Sequence, residues 1–401
     1  MTLIARYTKF LSLALAALLV ACGGGGGGTA GGGPIVVTDA GILKLALTAS
    51  PGCGYDHVYV TVQKVRVHPN SAAADADPGW SEVVLAPAQR IDLLSLNNGA
   101  VAELGQVTLP VGQYRQMSLV LAANDGANPL ANSVTPVGRA EVALASPATL
   151  QSGLKVAVNI GIAKDQISDF VLDFQSCESV LRLGLTDNYD LSPRYSILPR
   201  LSATGQRITG FVSTGLELST TRISVQSNSA LVRSTVPDSS GHFVLYPVPA
   251  GTYDVVISAL GRVPAVITGV PVSNTASTDL NTSGAPINPP VSTPHTATGT
   301  VSTGTTPVDA SVRVVKRYAG GPTVVVAAAP VNASTGDLAY TLSTGAAVRA
   351  TFAGGAPLGF TADTSVPTGV YTIVVNSGGV IKSADVDVTT GDPAPVTFTF
   401  P

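Results

Sequence analysis

In the segment LKLALTA, Leu43, Leu45 and Leu47 alternate with smaller or polar residues, the period-two pattern of a half-buried β-strand. The same alternation returns at Val58, Val60 and Val62 in YDHVYVTVQKVRVH and then slips by one residue to Val65 and Val67. A strand that keeps its apolar side chains on one face absorbs such a slip with an extra residue, so a β-bulge is predicted at Gln63 and Lys64. The other face of this strand carries Tyr55, His57, Tyr59 and Thr61. With Trp80 they form a candidate ligand surface; an exposed or inter-sheet polar face is the competing explanation.

A turn motif recurs along the chain. Pro110-Val111-Gly112-Gln113-Tyr114, Pro249-Ala250-Gly251-Thr252-Tyr253 and Pro367-Thr368-Gly369-Val370-Tyr371 each precede a β run. Proline fixes φ, glycine takes a conformation other residues avoid, and tyrosine opens a strand with its ring free to fold back on the turn. ITGFVSTG from Ile208 and ATGTVSTG from Ala297 echo each other as first strands. Between them GAPINPPVSTPH, with four prolines and no apolar period, reads as a semi-rigid spacer. The fold class expected is all-β, in tandem β-sandwich modules. A first sandwich covers 35–205, a second 206–285, a proline-rich linker 286–296, and a second, divergent copy of that module 297–401.

The start of the chain has a different pattern. An apolar run from Phe10 to Val20 follows the cations Arg6 and Lys9 and is about half the roughly 20 residues that span a bilayer. It reads as a secretory signal over 1–21. Leu19-Val20-Ala21-Cys22 resembles the bacterial lipobox, which implies cleavage before Cys22 and acylation of that cysteine, palmitate included. An ordinary secreted protein cut near Ala21 is the alternative. Gly23 in place of an aspartate implies the outer rather than the inner membrane. Several acyl chains on one cysteine suffice for stable anchoring. The glycine-rich stretch over 22–34 then serves as a tether with a reach of roughly 20 Å. Its glycines match G-x-G-x-x-G trivially, with no strand before them, so dinucleotide binding does not follow.

Losing Arg6 and Lys9 from the 22 basic residues leaves 20 against 25 acidic ones, and no nucleic-acid partner is expected. Charged residues are only 12% of the chain, while its 42 glycines and 28 prolines stay below the level of a disordered chain. With Cys22 lipidated, Cys53 and Cys177 remain in an oxidising compartment. A disulfide between them closes a loop of about 124 residues and contributes roughly 4–5 kcal/mol in the chain-entropy account. Two buried free thiols or a metal pair are the alternatives.

The segments LKLALTASPGCGYDHVYVTVQKVRVH, GWSEVVLAPAQRIDLLSLNNGAVAELGQVTLPVGQYRQMSLVL, SGLKVAVNIGIAKDQISDFVLDFQSC and YSILPRLSA resemble, in order and spacing, a bacterial lipoprotein domain of unknown function. Members open with an L-T-D-A-P motif. The resemblance covers Gly41 to Ala203 and implies fold and location more than function. This chain departs from the pattern at Ala49, where Asp is usual, and at Gln175 in Asp173-Phe174-Gln175; an acidic site at these positions is in doubt here.

Asp238-Ser239-Ser240-Gly241-His242-Phe243 followed by Val248-Pro249-Ala250-Gly251-Thr252-Tyr253 resembles the carboxypeptidase regulatory-like, transthyretin-like β-sandwich, grouped with carbohydrate-binding-like folds. From Ala297 to Pro401 the resemblance weakens: Gly336 and the Pro367 turn persist, and the acidic residue before the glycine is lost. Related pilin-type sandwiches cross-link a lysine to an asparagine, but residues 206–285 contain no lysine, which leaves that question to the third module alone.

No catalytic template is present. G-x-S-x-G, H-E-x-x-H and Walker A sequences are missing, and His57, His68, His242 and His295 are scattered along the chain. Asp75 and Asp77 in DADPG, and Asp187 and Asp190 in DNYD, are the best cation candidates, yet neither motif supplies the six or more oxygens of a calcium loop. No cofactor is expected. The sequence is read as a non-enzymatic envelope lipoprotein that binds glycan, cell-wall material or an envelope protein. The alternative is a stalk or scaffold holding the first domain away from the membrane. An enzyme with an unrecognised site is a remote third reading.

Overall fold

The computed structural model describes residues 39–51, 54–145, 153–183, 188–201, 204–304 and 308–401. The signal segment, Cys22, the tether, Cys53, Asp187 and the side chain of Cys177 lie outside the described residues. The described chain is all-β, apart from short helical turns at Leu93–Ser95 and Ser176–Ser179. None of its helices is long and apolar enough to cross a membrane.

The first domain is a sandwich of two sheets. Ala40–Ala49 lies antiparallel to Ala102–Pro110 and parallel to Ile167–Phe174, and Tyr195–Pro199 completes that sheet. The facing sheet is built on Tyr55–His68, which pairs with Ser81–Asp92, Gly112–Leu121 and Ser133–Pro136. Against the first two of these neighbours the register shifts between Val62 and Lys64, where the apolar slip predicts a bulge. The extra residue returns Val65 and Val67 to the inner face, where all five valines and Leu43, Leu45 and Leu47 share one core. Each such side chain stabilises the sandwich by roughly 1.5–3 kcal/mol through burial.

The second and third sandwiches repeat one topology. Ile208–Phe211 runs antiparallel to His242–Leu245 and parallel to Thr278–Asp279, as Pro294–Ser302 does to Asp337–Ser343 and Val396–Thr399. In the opposing sheets, Arg222–Ser227 lies between Ala230–Thr235 and Gly251–Ser258, and Ser311–Arg317 lies between Thr323–Pro330 and Val370–Ser377. Gly241 and Gly336 hold equivalent positions, with φ of +81° and +73°. A Cβ there would fall 2.1 Å from Val212 O and 1.8 Å from Val301 O. The acid missing from the third copy is replaced by an amide: Asn332 Oδ1 accepts from the N–H groups of Ser334 and Thr335, as Asp238 Oδ1 does from those of Ser240 and His242.

The Pro-X-Gly-X-Tyr turns work as expected in two of three cases. The Tyr114 hydroxyl folds back 3.3 Å from Pro110 O, and that of Tyr253 lies 2.9 Å from Pro249 O. In the third, Tyr371 reaches across the sandwich to Ser343 O, and the Lys316 ammonium takes Pro367 O instead. Glycine's role differs as well. Gly369 needs its positive φ of +65°, whereas a Cβ on Gly251 would crowd the Tyr253 ring at 3.1–3.2 Å.

The proline-rich segment is not a free spacer. Ile287 is buried, bridges to Val212 and exchanges backbone hydrogen bonds with Phe211 and Ser213, while Val291 bridges to Arg262. Beyond it the chain sends Val348–Thr351 back to pair in parallel with Ala265–Val272, and Thr361–Ala362 pairs with Val348–Thr351 in turn. One six-stranded sheet thus spans the second and third sandwiches. Val348 and the half-buried Phe352, Leu358 and Phe360 join the second core, and Val256 and Val266 of the second sandwich join the third.

Candidate functional site

The four residues of the expected aromatic face do not form one surface. Tyr55 packs edge-on against Tyr189 at 5.9 Å, and burial pushes its hydroxyl up to about 12. His57 stacks on Tyr59 at 5.5 Å, with its Nδ1 2.7 Å from Asp92 Oδ2. The Arg90 guanidinium lies 3.7 Å from the Tyr59 ring centroid and is held by Glu141 and Ser133. His57 stands two residues before Tyr59, and Arg90 pairs with Thr61 two residues after it, so the tyrosine ring is clasped between them. A ring covered on both faces offers no platform for a sugar.

Trp80, just before the strand Ser81–Asp92, lies against the far end of Tyr55–His68, beside His68 at 5.1 Å, with the Arg66 guanidinium 4.4 Å from its ring. Its indole N–H donates to Ala74 O, and His68 Nε2 lies 3.1 Å from Pro78 O, so the pair closes loop 69–79. The candidate cation residues within that loop are already engaged: Asp75 pairs with Lys155 at 2.7 Å, and Asp77 accepts from the Ala74 N–H. Asp190 stands in a strand pairing with Leu181, and burial pushes its carboxyl up from its ordinary value. Among the described residues no group of three or more His, Cys, Asp or Glu lies close enough to hold a metal ion.

Both lysines of the third sandwich are bound to main-chain oxygens. Buried Lys316 donates to Pro367 O and Val370 O at 2.9 Å each, and Lys382 donates to Thr399 O. Burial pushes the Lys316 ammonium down from its ordinary value. Neither amine meets an asparagine side chain among the described residues, so the arrangement for a Lys–Asn cross-link is not present there.

The structure concentrates its buried polar chemistry at the junctions between sandwiches. Arg233, from the second, enters the first and pairs with the Asp173 carboxylate, while its other amino group donates to Thr48 Oγ1 at 2.6 Å. Gln175 Nε2 donates to the same carboxylate at 3.0 Å, and Thr48 Oγ1 donates on to Leu96 O and Ala100 O. Burial pushes the Asp173 carboxyl up, and the guanidinium pulls against it. The neighbourhood of Asp173 and Gln175, where an acidic site was in doubt, therefore already holds a cation covalently part of the chain.

Two further contacts complete the joints. Asn98, at a φ of +54°, accepts from the Val244 N–H, and its own N–H donates to Thr235 Oγ1 at 2.8 Å. Gln226 of the second sandwich caps the outer strand of the third, with Oε1 accepting from the Val325 N–H and Nε2 donating to Val325 O, both at 2.7 Å. Ser50, Gln175, Arg222, Ser234 and Val326 meet around a cavity of about 40 Å³, room for a water rather than an organic ligand. Arg233, Gln226 and Asn98 carry no motif, and nothing in the local pattern marks them.

Residues 40–193 match the model of a domain of unknown function (DUF4382), and residues 207–284 match that of the carboxypeptidase regulatory-like domain. These matches bear out both resemblances in their order along the chain. No curated protein matches the chain. Among solved structures, a type II cohesin–X-dockerin complex from Acetivibrio cellulolyticus is 30% identical over 21% of this chain, which spans 56% of that one, with a TM-score of 0.18. A streptococcal ancillary pilin is 8% identical over 89% of this chain and 98% of its own, TM-score 0.16. The Corynebacterium diphtheriae major pilin is 11% identical over the same shares, TM-score 0.17. With TM-scores this low, these likenesses carry no structural argument.

Proposed function

We propose that this chain, in which a domain of unknown function precedes a carboxypeptidase regulatory-like sandwich and a divergent copy of it, is a non-enzymatic, lipid-anchored scaffold of the bacterial envelope. The observation that carries this reading is the six-stranded sheet shared by the second and third sandwiches, continued into the first by the Arg233–Asp173 pair. Modules meant to swing would keep separate sheets and an exposed linker; here buried polar groups and a paired backbone fix them. Chain order places the first domain next to the tether, so the fused sandwiches extend what that domain carries rather than lift it.

The anchor rests on the signal, Leu19 to Cys22 and the glycine tether, with the outer membrane as its site. A Cys53–Cys177 disulfide is part of the same proposal. Ser50 and Ser176, close in sequence to those cysteines, are joined by a 3.0 Å hydrogen bond from the Ser176 N–H to Ser50 Oγ. The binding-module reading loses support from the clasped Tyr59 ring and the engaged Trp80. The test combines two measurements: Cys22→Ala should release the protein from the membrane fraction, and spin labels on the first and third sandwiches of residues 35–401 should report one narrow distance. A broad distribution would overturn the scaffold, and membrane retention of Cys22→Ala would overturn the lipid anchor.

A further inference from the structure

All three sandwiches meet around a cleft of about 150 Å³, several times the ~30 Å³ that one water occupies in the liquid. The turn Ser176–Ser179 of the first and the strand Ala230–Thr235 of the second both pack on Thr323–Pro330 of the third. From these two elements Glu178 and Leu231 line the cleft. The rest comes from the outer face of the third sandwich, where register sets Arg313 between Ala328 and Val374, and Ser311 beside Asn376. Ser311, Arg313 and Asn376 are exposed and Glu178 is only partly buried, so solvent reaches the polar lining.

The cleft holds one carboxylate and one guanidinium that do not meet. Nearby, the first and third sandwiches do form an ion pair, Arg194 with Asp309 at 2.7 Å. Neither Glu178 nor Arg313 has a side-chain hydrogen bond or ion pair among the described residues. Opposite charges that share a cleft and stay beyond ion-pair distance leave room for a molecule carrying both complements. A simple anion there would meet the Glu178 carboxylate, and a simple cation the Arg313 guanidinium, so each would be opposed by a like charge. Only a zwitterion is favoured at both ends. Ser311 and Asn376 add neutral hydrogen-bonding groups, and Leu231, Val374 and Ala328 supply apolar surface.

We infer that this cleft binds a free α-amino acid with a small apolar side chain. The ligand's ammonium pairs with Glu178 and its carboxylate with Arg313, both as charge-assisted hydrogen bonds, while its side chain rests on Leu231 and Val374. The site is built from all three sandwiches, so it rests on their fixed arrangement proposed above, though not on the lipid anchor. A ligand that binds only the assembled joint stabilises that joint in turn.

The experiment is calorimetric titration of folded residues 35–401 with L-alanine and L-valine. Beside them run N-acetyl-L-alanine, which lacks the ammonium, L-alaninamide, which lacks the carboxylate, and L-tryptophan, which is too large. Saturable binding of alanine or valine is expected, with each of the other three at least about tenfold weaker. Glu178→Gln and Arg313→Gln should each weaken binding about tenfold or more. Because neither side chain has a partner within the protein, both variants should melt at the parent temperature, which keeps a loss of binding distinct from a loss of fold. Absence of saturable binding, a blocked compound or tryptophan binding as well as the small amino acids, or unchanged affinity in either variant would overturn the assignment. Spin-label distances between the first and third sandwiches of the same protein separate the two readings. No binding with one narrow distance overturns the site alone; no binding with a broad distribution overturns the scaffold and the site together.

Discussion

The Asp173 carboxylate of the first sandwich is fully buried against the Arg233 guanidinium of the second. Each group needs the other: an isolated charge at either position would be stranded in an apolar interior. The pair is fixed on both sides, by Gln175 at the carboxylate and by Thr48 at the guanidinium. It therefore sets the register between two sandwiches that sequence alone leaves as neighbours on a string.

Arg233→Met should destabilise the joined first and second sandwiches by about 3–5 kcal/mol, the usual result of leaving one member of a buried pair alone. Arg233→Met combined with Asp173→Leu should recover most of that loss, because no charge remains buried. Urea unfolding of both variants of residues 35–401 checks the ordering; equal losses in the single and double variants would show that the pair does not act as a unit.

Gln226→Ala strips the Val325 N–H and C=O of their partners at 2.7 Å, two main-chain groups in a buried setting. The expected cost is roughly 1–3 kcal/mol. Hydrogen exchange at the Val325 amide should accelerate far more than at Val314, which lies inside the same sheet.

How much of this was legible in the sequence depends on the kind of contact. The bulge after Val62 was visible because a period-two pattern that slips has one physical remedy. The turn tyrosines were visible because their carbonyl partners lie four residues away, at Pro110 and Pro249. Tyr371 broke the rule because Lys316, distant in sequence, competes for the same carbonyl. The aromatic face failed for a related reason: Arg90 comes from the next strand, and alternation along Tyr55–His68 cannot reveal what covers Tyr59. The strand Val348–Thr351 was hidden because parallel pairing with Ala265–Val272 leaves no local turn signal.

Gly336→Ala should cost at least about 3 kcal/mol, since it combines a left-handed backbone with a Cβ 1.8 Å from Val301 O. Gly378→Ala, with a similar φ of +58° but open space around it, should cost about 1 kcal/mol. Thermal melts of the two variants separate backbone strain from steric exclusion.

Glu103 receives both terminal amino groups of Arg200, at 2.7 and 3.0 Å, which hold its carboxyl below the ordinary value of 4.5, with Lys44 assisting. A carboxyl lowered on folding contributes stability that is present above its unfolded value and lost as pH falls through the lowered one. Glu103→Gln should therefore be less stable than the parent at pH 7, by up to ~1 kcal/mol for a half-exposed pair, and the gap should close below about pH 4.5. Stability curves from pH 3 to 7 read the difference directly.

The most direct test of the fused scaffold is calorimetry of residues 35–293, which keep the whole second sandwich as sequence delimits it and lose the strands Val348–Thr351 and Thr361–Ala362. Shared sheet and shared core predict that this sandwich melts at least about 10 °C below its temperature in residues 35–401, at roughly 4–8 °C per kcal/mol for a module of this size. An unchanged melting temperature would show that the second sandwich is self-sufficient and would contradict the account.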